Sequence, residues 1–211
     1  MTTVINQKSE HQMSINQFIG KIKKNRGIIA LTVAYILMLL VMFILPLFNL
    51  PGYSIIRNTL SELGAQFTPE AWIMNSVFVS LALGSVIAGW GYFEGFGLHR
   101  IVLLLFCISL TLTAFFNHAP VNPDIQYNVR EAGWHAYFAC TAGLSFIILS
   151  IATSFILEKQ QDRLMAKAAG ISSIFFTVMM SEADLLAGIW QRLMFIISFG
   201  WMIYTFKTRE F

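Results

Sequence analysis

Residues 27–50 read GIIALTVAYILMLLVMFILPLFNL, twenty-four positions without one charged side chain. A helix needs about 20 mainly apolar residues to cross a bilayer, and this run supplies them. It is not a cleavable signal peptide: it is too long for that apolar region, follows a long polar tail and lacks a small-x-small exit. Five more runs of similar character follow, at about 71–93, 101–117, 133–157, 166–181 and 186–206. Their interiors hold almost no charge. The reading is an all-α fold: a polytopic membrane bundle of six transmembrane helices in one domain.

Composition agrees. The chain is 211 residues long, 56% apolar and only 12% charged, where a soluble domain carries about a quarter charged residues. Six spans leave only short connections, too short for a separate soluble catalytic module. Residues 1–26 form a tail, 27–206 the six-helix domain and 207–211 a second tail. In the first tail Ser14-x-x-Gln17 begins a capping-box pattern, and Ile15, Phe18, Ile19 and Ile22 share one helical face. That predicts a short amphipathic helix on the membrane surface.

The distribution of charge matters more than its net of +3. Lys8, Lys21, Lys23, Lys24, Arg26, Arg100, Lys159, Arg163, Lys167, Lys207 and Arg209 all fall on one side of the spans. Only Arg57, Arg130 and Arg192 fall on the other. The positive-inside rule then puts both termini in the cytoplasm, and the expected location is the plasma (inner) membrane, multi-pass. Membrane lipids are the expected partners of the basic tail, not nucleic acid. Gly84, Ser85, Ala88, Gly89 and Gly91 give the second span a small-residue face for close helix packing and a candidate surface for a homo-oligomer. Cys107 and Cys140 lie within spans without metal or redox spacing and read as small buried apolar residues.

The chemistry-bearing residues collect at the side away from the termini. In the loop 51–68, Ser54 reads as the cap of a short helix carrying Arg57, Asn58, Ser61 and Glu62, with Gly64 as a left-handed stop. Thr68-Pro69-Glu70 reads as the start of the second span. The loop 118–132 carries His118, the turn Asn122-Pro123-Asp124, Arg130 and Glu131; Glu131 and His135 share a helical face. The fifth span reads as short and ends at Glu182 and Asp184, and the sixth holds Gln191 and Arg192 inside its apolar run.

Arg192 is the most informative of these. It stays charged and lies about 9 Å, at 1.5 Å per residue, below the outer end of its helix. A guanidinium there must be paired or snorkel, so Glu62, Glu131, Glu182 or an anionic ligand is its expected partner. His118 and His135 suit proton transfer or metal binding. With Glu131, Glu62 or Asp124 they would make three zinc ligands and an open position, so a divalent metal such as zinc is the candidate cofactor. Ser61 is a candidate nucleophile, although no nucleophile elbow surrounds it.

The run Asn58-Thr59-Leu60-Ser61-Glu62-Leu63-Gly64-Ala65, with Asn75 in the next helix, resembles the uncharacterised family known as domain of unknown function 998. So do the proline-bearing loop after the third span, His135 and the six-span layout. The resemblance is best over the first four spans. It implies a small bacterial or archaeal membrane protein and brings no established activity. A fainter likeness is to membrane hydrolases of the alkaline-ceramidase type, which have a Ser, an Asp and three zinc-binding His; this chain has two outer His and lacks the late His-x-x-x-His pair.

The functional expectation is binding, with hydrolysis as its extension, of a lipid head group or another anionic ligand at the outer face. Arg57, Arg130 and Arg192, with Asn75 and Gln191, would hold the ligand. His118 and His135 would be acid/base groups or metal ligands, oriented by Glu62 and Glu131. One alternative is a small-solute transporter or facilitator. Against a coupled carrier, the middle thirds of all six spans lack Asp, Glu, Lys, Arg and His. The other is a non-catalytic assembly subunit.

Overall fold

The computed structural model describes residues 25–48 and 52–208; the expected amphipathic helix near residues 15–22 lies outside them. All the long elements are helices: α1 (Asn25–Leu47, its last turn Leu45–Leu47 a 3₁₀ turn), α3 (Ala71–Tyr92), α4 (Gly97–Phe115), α5 (Val129–Thr153), α6 (Gln160–Glu182) and α7 (Ala187–Thr208). A short helix, α2 (Leu60–Leu63), precedes α3, and a 3₁₀ turn, Asp184–Leu186, precedes α7. Six helices are long and apolar enough to cross a membrane, and the chain is a multi-pass membrane protein. Among the described residues the β-structure is a single bridge, Ala65 to His118.

Burial follows helical periodicity. In α1, Leu31, Ala34, Met38, Met42 and Leu45 are buried, while Val33, Ile36, Leu40 and Phe43 are exposed. Exposed aliphatic rows that water would penalise are what lipid accommodates. Successive spans are antiparallel neighbours, α3 on α4, α4 on α5, α5 on α6 and α6 on α7. The Tyr35 hydroxyl of α1 donates to the Ile196 carbonyl of α7, and α1 lies against α3, so the ring closes. The interior is filled by aromatic rings from four helices. Phe78 meets Phe195, Phe106 meets Phe146 and Phe199, and Phe146 meets Trp201.

The small residues of α3 are used within the chain. A Cβ on Gly84 would lie 2.8 Å from the Leu31 Cα, and one on Gly27 would lie 2.9 Å from the Ala88 Cα. These two close approaches seat α1 on α3, as small residues do between helices in lipid. Of the three glycines of α3, Gly91 alone has open space beside it.

Several local expectations change. The fifth apolar run was rightly placed, but α6 is not short: it has 23 residues, because its polar first turns from Gln160 to Lys167 stay helical beyond the apolar stretch. Arg163 and Lys167 sit on these first turns of α6, and Arg100 on the first turn of α4. The Arg100 Nε donates to the Trp90 carbonyl at 3.0 Å. The α3 helix starts at Ala71, after a turn through Thr68–Glu70. Cys107 is buried, but Cys140 is exposed on the outer surface of α5.

The long connections 52–70 and 116–128 and the short one 183–186 meet at one end of the bundle, here the loop end. Exposed Trp72, Phe115, Trp134 and Tyr137 lie at this end of α3, α4 and α5, where aromatic residues are expected at the head-group level.

Candidate functional site

The first cluster is a cage around Arg192. The side chain is 3% exposed. Its Nη1 donates to the carbonyls of Ile55, Asn58 and Gly188, each at 2.9 Å. Its Nη2 donates to the Tyr53 hydroxyl at 2.8 Å and to the Met42 carbonyl at 3.4 Å; Nε has no partner. The Tyr53 hydroxyl in turn donates to the Thr59 carbonyl at 2.9 Å. Burial raises the Tyr53 phenol above its ordinary pKa, against the lowering effect of Arg192.

The expected carboxylate partner of Arg192 is thus replaced by main-chain oxygens. No ion pair forms among the described residues, so neither Glu62, Glu131 nor Glu182 meets it. The physical reason lies in the loop. Residues 53–59 fold so that successive carbonyls point at the start of α7, where helix N–H groups lack intrahelical partners. Gly188 N–H donates to the Arg57 carbonyl at 3.1 Å, and Ile189 N–H to that of Ile56 at 3.3 Å. Gln191 accepts the Leu60 N–H through Oε1. A Cβ on Gly188 would sit 2.4 Å from both the Ile55 and Asn58 oxygens. Only glycine lets the strap approach this closely. Arg57 itself is exposed.

Glu62 is occupied locally. It accepts from the Asn58 amide at 2.8 Å, from the Thr59 hydroxyl at 2.8 Å and from the Thr59 N–H. This back-reach is half of a capping box. The cap of α2 is therefore Thr59, not Ser54, whose N–H instead bonds the Asn58 side chain. Gly64 ends α2 with φ −98°, so it is not a left-handed stop. It is glycine because Asn75 lies against it: a Cβ there would fall 2.2 Å from the Asn75 Oδ1. Ser61 is buried, and no hydrogen bond joins it to either histidine.

The second cluster joins the two long loops. Asn75 Nδ2 bridges the Gly64 carbonyl at 3.4 Å and Asn117 Oδ1 at 2.8 Å. Gln66 N–H donates to the His118 carbonyl at 2.9 Å. The Gln66 amide donates to the Asn128 carbonyl at 3.0 Å and accepts the Asn128 N–H at 2.9 Å. Asn128 caps α5 by accepting the Glu131 N–H at 3.2 Å. Glu131 and His135 do share a face, and both hold the chain leaving α4. Glu131 Oε1 accepts the Asn117 N–H at 2.9 Å, and His135 Nδ1 lies 2.7 Å from the Phe116 carbonyl. Facing a carbonyl, that nitrogen is the donor.

His118 and His135 are brought together, their rings edge-to-face at 5.1 Å. His135 is buried with Nε2 unpartnered; His118 is half-buried, with Nδ1 2.8 Å from the Ala119 carbonyl. A third metal ligand does not join them: no group of three His, Cys, Asp or Glu comes together among the described residues. Asp124 is exposed in an Asx turn with Asn122. Arg130, Glu182 and Asp184 are exposed too. The ligand set and the serine–base contact that a ceramidase-type reaction requires are therefore not assembled here.

Beside the second cluster lies an open depression of about 460 Å³, lined by Gln66, Phe67, Asn117, Gln126, Tyr127, Asn128 and Glu131. The sequence pointed to Glu131 alone of these as a site residue. Asn128 was legible, since Asn three residues before Glu at a helix start is a capping pattern. Gln66 and Phe67 carried no local signal. Phe67 has φ +63° and is 69% exposed. A bulky residue in the left-handed region is a true outlier. The Asn117 and Asn128 amide nitrogens and Glu131 Oε2 have no partner among the described residues.

The profile of one family, described as protein of unknown function (DUF998), matches residues 32–206. That range contains α2 to α6 whole, the larger part of α1 and almost all of α7, and with them both clusters. No curated protein matches the chain. No solved structure matches it.

Proposed function

We propose, from the premise that the chain belongs to the DUF998 family, that it is a non-catalytic membrane receptor for a polar lipid head group, bound in the depression at the loop end. The observation behind this reading is the contrast between saturated and spare hydrogen-bonding groups. At the loop end Asn75, Glu62 and Arg192 are taken up by hydrogen bonds within the chain, and so is Gln66 in the lining of the depression. The groups at its surface keep donors and acceptors to spare. A preorganised polar floor with a few unpartnered groups is how ligand sites fix orientation. The exposed aromatic residues at this end of α3, α4 and α5 support a ligand at the head-group level.

The anion reading loses its main residue, because Arg192 already has five acceptors around it. Hydrolysis lacks a paired nucleophile and base. The middle thirds of the six spans carry no Asp, Glu, Lys, Arg or His, which weighs against a coupled carrier.

The reading is tested by purifying the full chain from membranes and identifying retained lipid by native mass spectrometry. The expected result is a defined lipid retained by the wild type and lost on Tyr127→Ala, a change confined to an exposed loop residue. An unchanged lipid pattern in Tyr127→Ala, or no retained lipid at all, would overturn it.

A further inference from the structure

We infer that the ligand of the depression carries an ammonium group, held by Glu131 and faced by the rings of Tyr127 and Phe67. The inference rests on the head-group reading above and names its chemistry.

Charge is the first argument. Among the residues lining the depression, Glu131 is the only ionisable acid or base apart from the Tyr127 phenol. No ion pair compensates it among the described residues. One of its oxygens is fixed by the Asn117 N–H at 2.9 Å, which sets the orientation of the other. A fixed, half-exposed carboxylate without a counter-charge favours a cation and repels a phosphate. Arg130 adjoins it in sequence but does not line the depression; neighbouring helix positions point about 100° apart. The nearby histidines are also outside the lining.

The aromatic rings are the second argument. Ammonium and quaternary ammonium groups are recognised by aromatic faces together with a carboxylate. Tyr127 is partly open and Phe67 widely so. Phe67 is held out by its neighbours on both sides. Gln66 is anchored to four main-chain groups in the other loop, and the Thr68 N–H closes a turn on the Ala65 carbonyl at 3.2 Å. The ring adds nothing to the buried core, yet its backbone is in a costly conformation. Strain of this kind, held by the surrounding structure, is characteristic of ligand contacts. The spare amides of Asn117 and Asn128 then suit the ester, phosphate or hydroxyl oxygens next to an ammonium in a zwitterionic head group.

The same chemistry exists in free choline or ethanolamine, so the experiment carries two arms. In the first, full-length protein in detergent receives equal amounts of phosphatidylethanolamine, phosphatidylcholine and phosphatidylglycerol, and the retained lipid is quantified by mass spectrometry. The ammonium lipids should exceed phosphatidylglycerol by about fivefold, the scale of a cation–π contact of about 1 kcal/mol. Glu131→Gln keeps the acceptor for Asn117 but removes the charge, and it should abolish that preference. Tyr127→Leu is the second variant and should reduce it. In the second arm, choline and ethanolamine are titrated calorimetrically into the wild type and Glu131→Gln.

Ammonium-lipid enrichment that depends on Glu131 supports both the inference and the head-group reading. Binding of free choline or ethanolamine that depends on Glu131, without lipid enrichment, supports the inference and overturns the lipid reading. Lipid retained without head-group preference overturns the inference and leaves the reading standing. Absence of any binding in both arms overturns both.

Discussion

Arg192 and Glu131 sit at the same end of the same bundle and carry opposite charges, yet the chain treats them differently. Arg192 is 3% exposed and encircled by five oxygen acceptors. Glu131 has one oxygen fixed by a main-chain N–H and lines an open depression. A charge inside an apolar span draws attention in a sequence because it is expensive there. That expense is also why such a charge is so often fully satisfied by the fold, and a satisfied group has nothing left for a ligand. The more modest carboxylate at a helix start retains its binding capacity.

The sharpest way to break this contrast is to remove the guanidinium. Arg192→Ala leaves the Ile55 and Asn58 carbonyls and the Tyr53 hydroxyl facing a void, and buried groups left unpaired cost about 1–3 kcal/mol each. We expect a loss of about 3–5 kcal/mol, the scale seen when one partner of a buried charged contact is removed. Thermal unfolding in detergent checks it. Arg57→Ala and Arg130→Ala, both at exposed positions, should unfold close to the wild type. Arg192→Lys should recover only part of the loss, since an ammonium cannot span acceptors arranged around a planar fork. If Arg192→Ala were as stable as Arg57→Ala, the cage would be incidental.

Gly188→Ala probes the same cage without touching charge. Its new methyl would meet the Ile55 and Asn58 oxygens at 2.4 Å, and main chain cannot step aside as a side chain can. Overpacking of this kind costs about 1–3 kcal/mol, again read by thermal unfolding. The depression should respond with the opposite sign. Phe67→Gly removes a side chain from a left-handed conformation that costs about 1–2 kcal/mol in other residues, offset by the extra freedom of glycine in the unfolded chain. We expect a net gain of about 0.5–1 kcal/mol in unfolding free energy, together with weaker ligand retention. A loss of stability would show that Phe67 is a packing residue.

The spans could be read from the sequence because length and lack of charge alone set them. Each of the six expected runs overlaps a helix, and the shifts in bounds come from polar turns at α5 and α6 that remain helical. The burial of Arg192 was also legible, from its depth inside an apolar run. Its partners were not, because a carbonyl oxygen belongs to every residue type and leaves no signature in the letters. For Gly64 the need for glycine was legible but the reason was not: the constraint is Asn75, from another helix, and not a left-handed turn. The depression was the least legible part. It depends on Gln66 meeting Asn128, 62 positions away, and such pairing has no local pattern. The histidines were brought together as the sequence suggested, but no third ligand followed them.

The most direct test compares the two regions in one experiment: thermal unfolding of wild type, Glu131→Gln and Arg192→Lys in detergent, each with and without added phosphatidylethanolamine. The account predicts that Arg192→Lys starts at a lower midpoint but keeps the lipid-induced rise seen in the wild type. Glu131→Gln should start near the wild-type midpoint and show no rise. The reverse pattern, with the rise lost in Arg192→Lys and kept in Glu131→Gln, would place the ligand at the buried arginine and contradict the account.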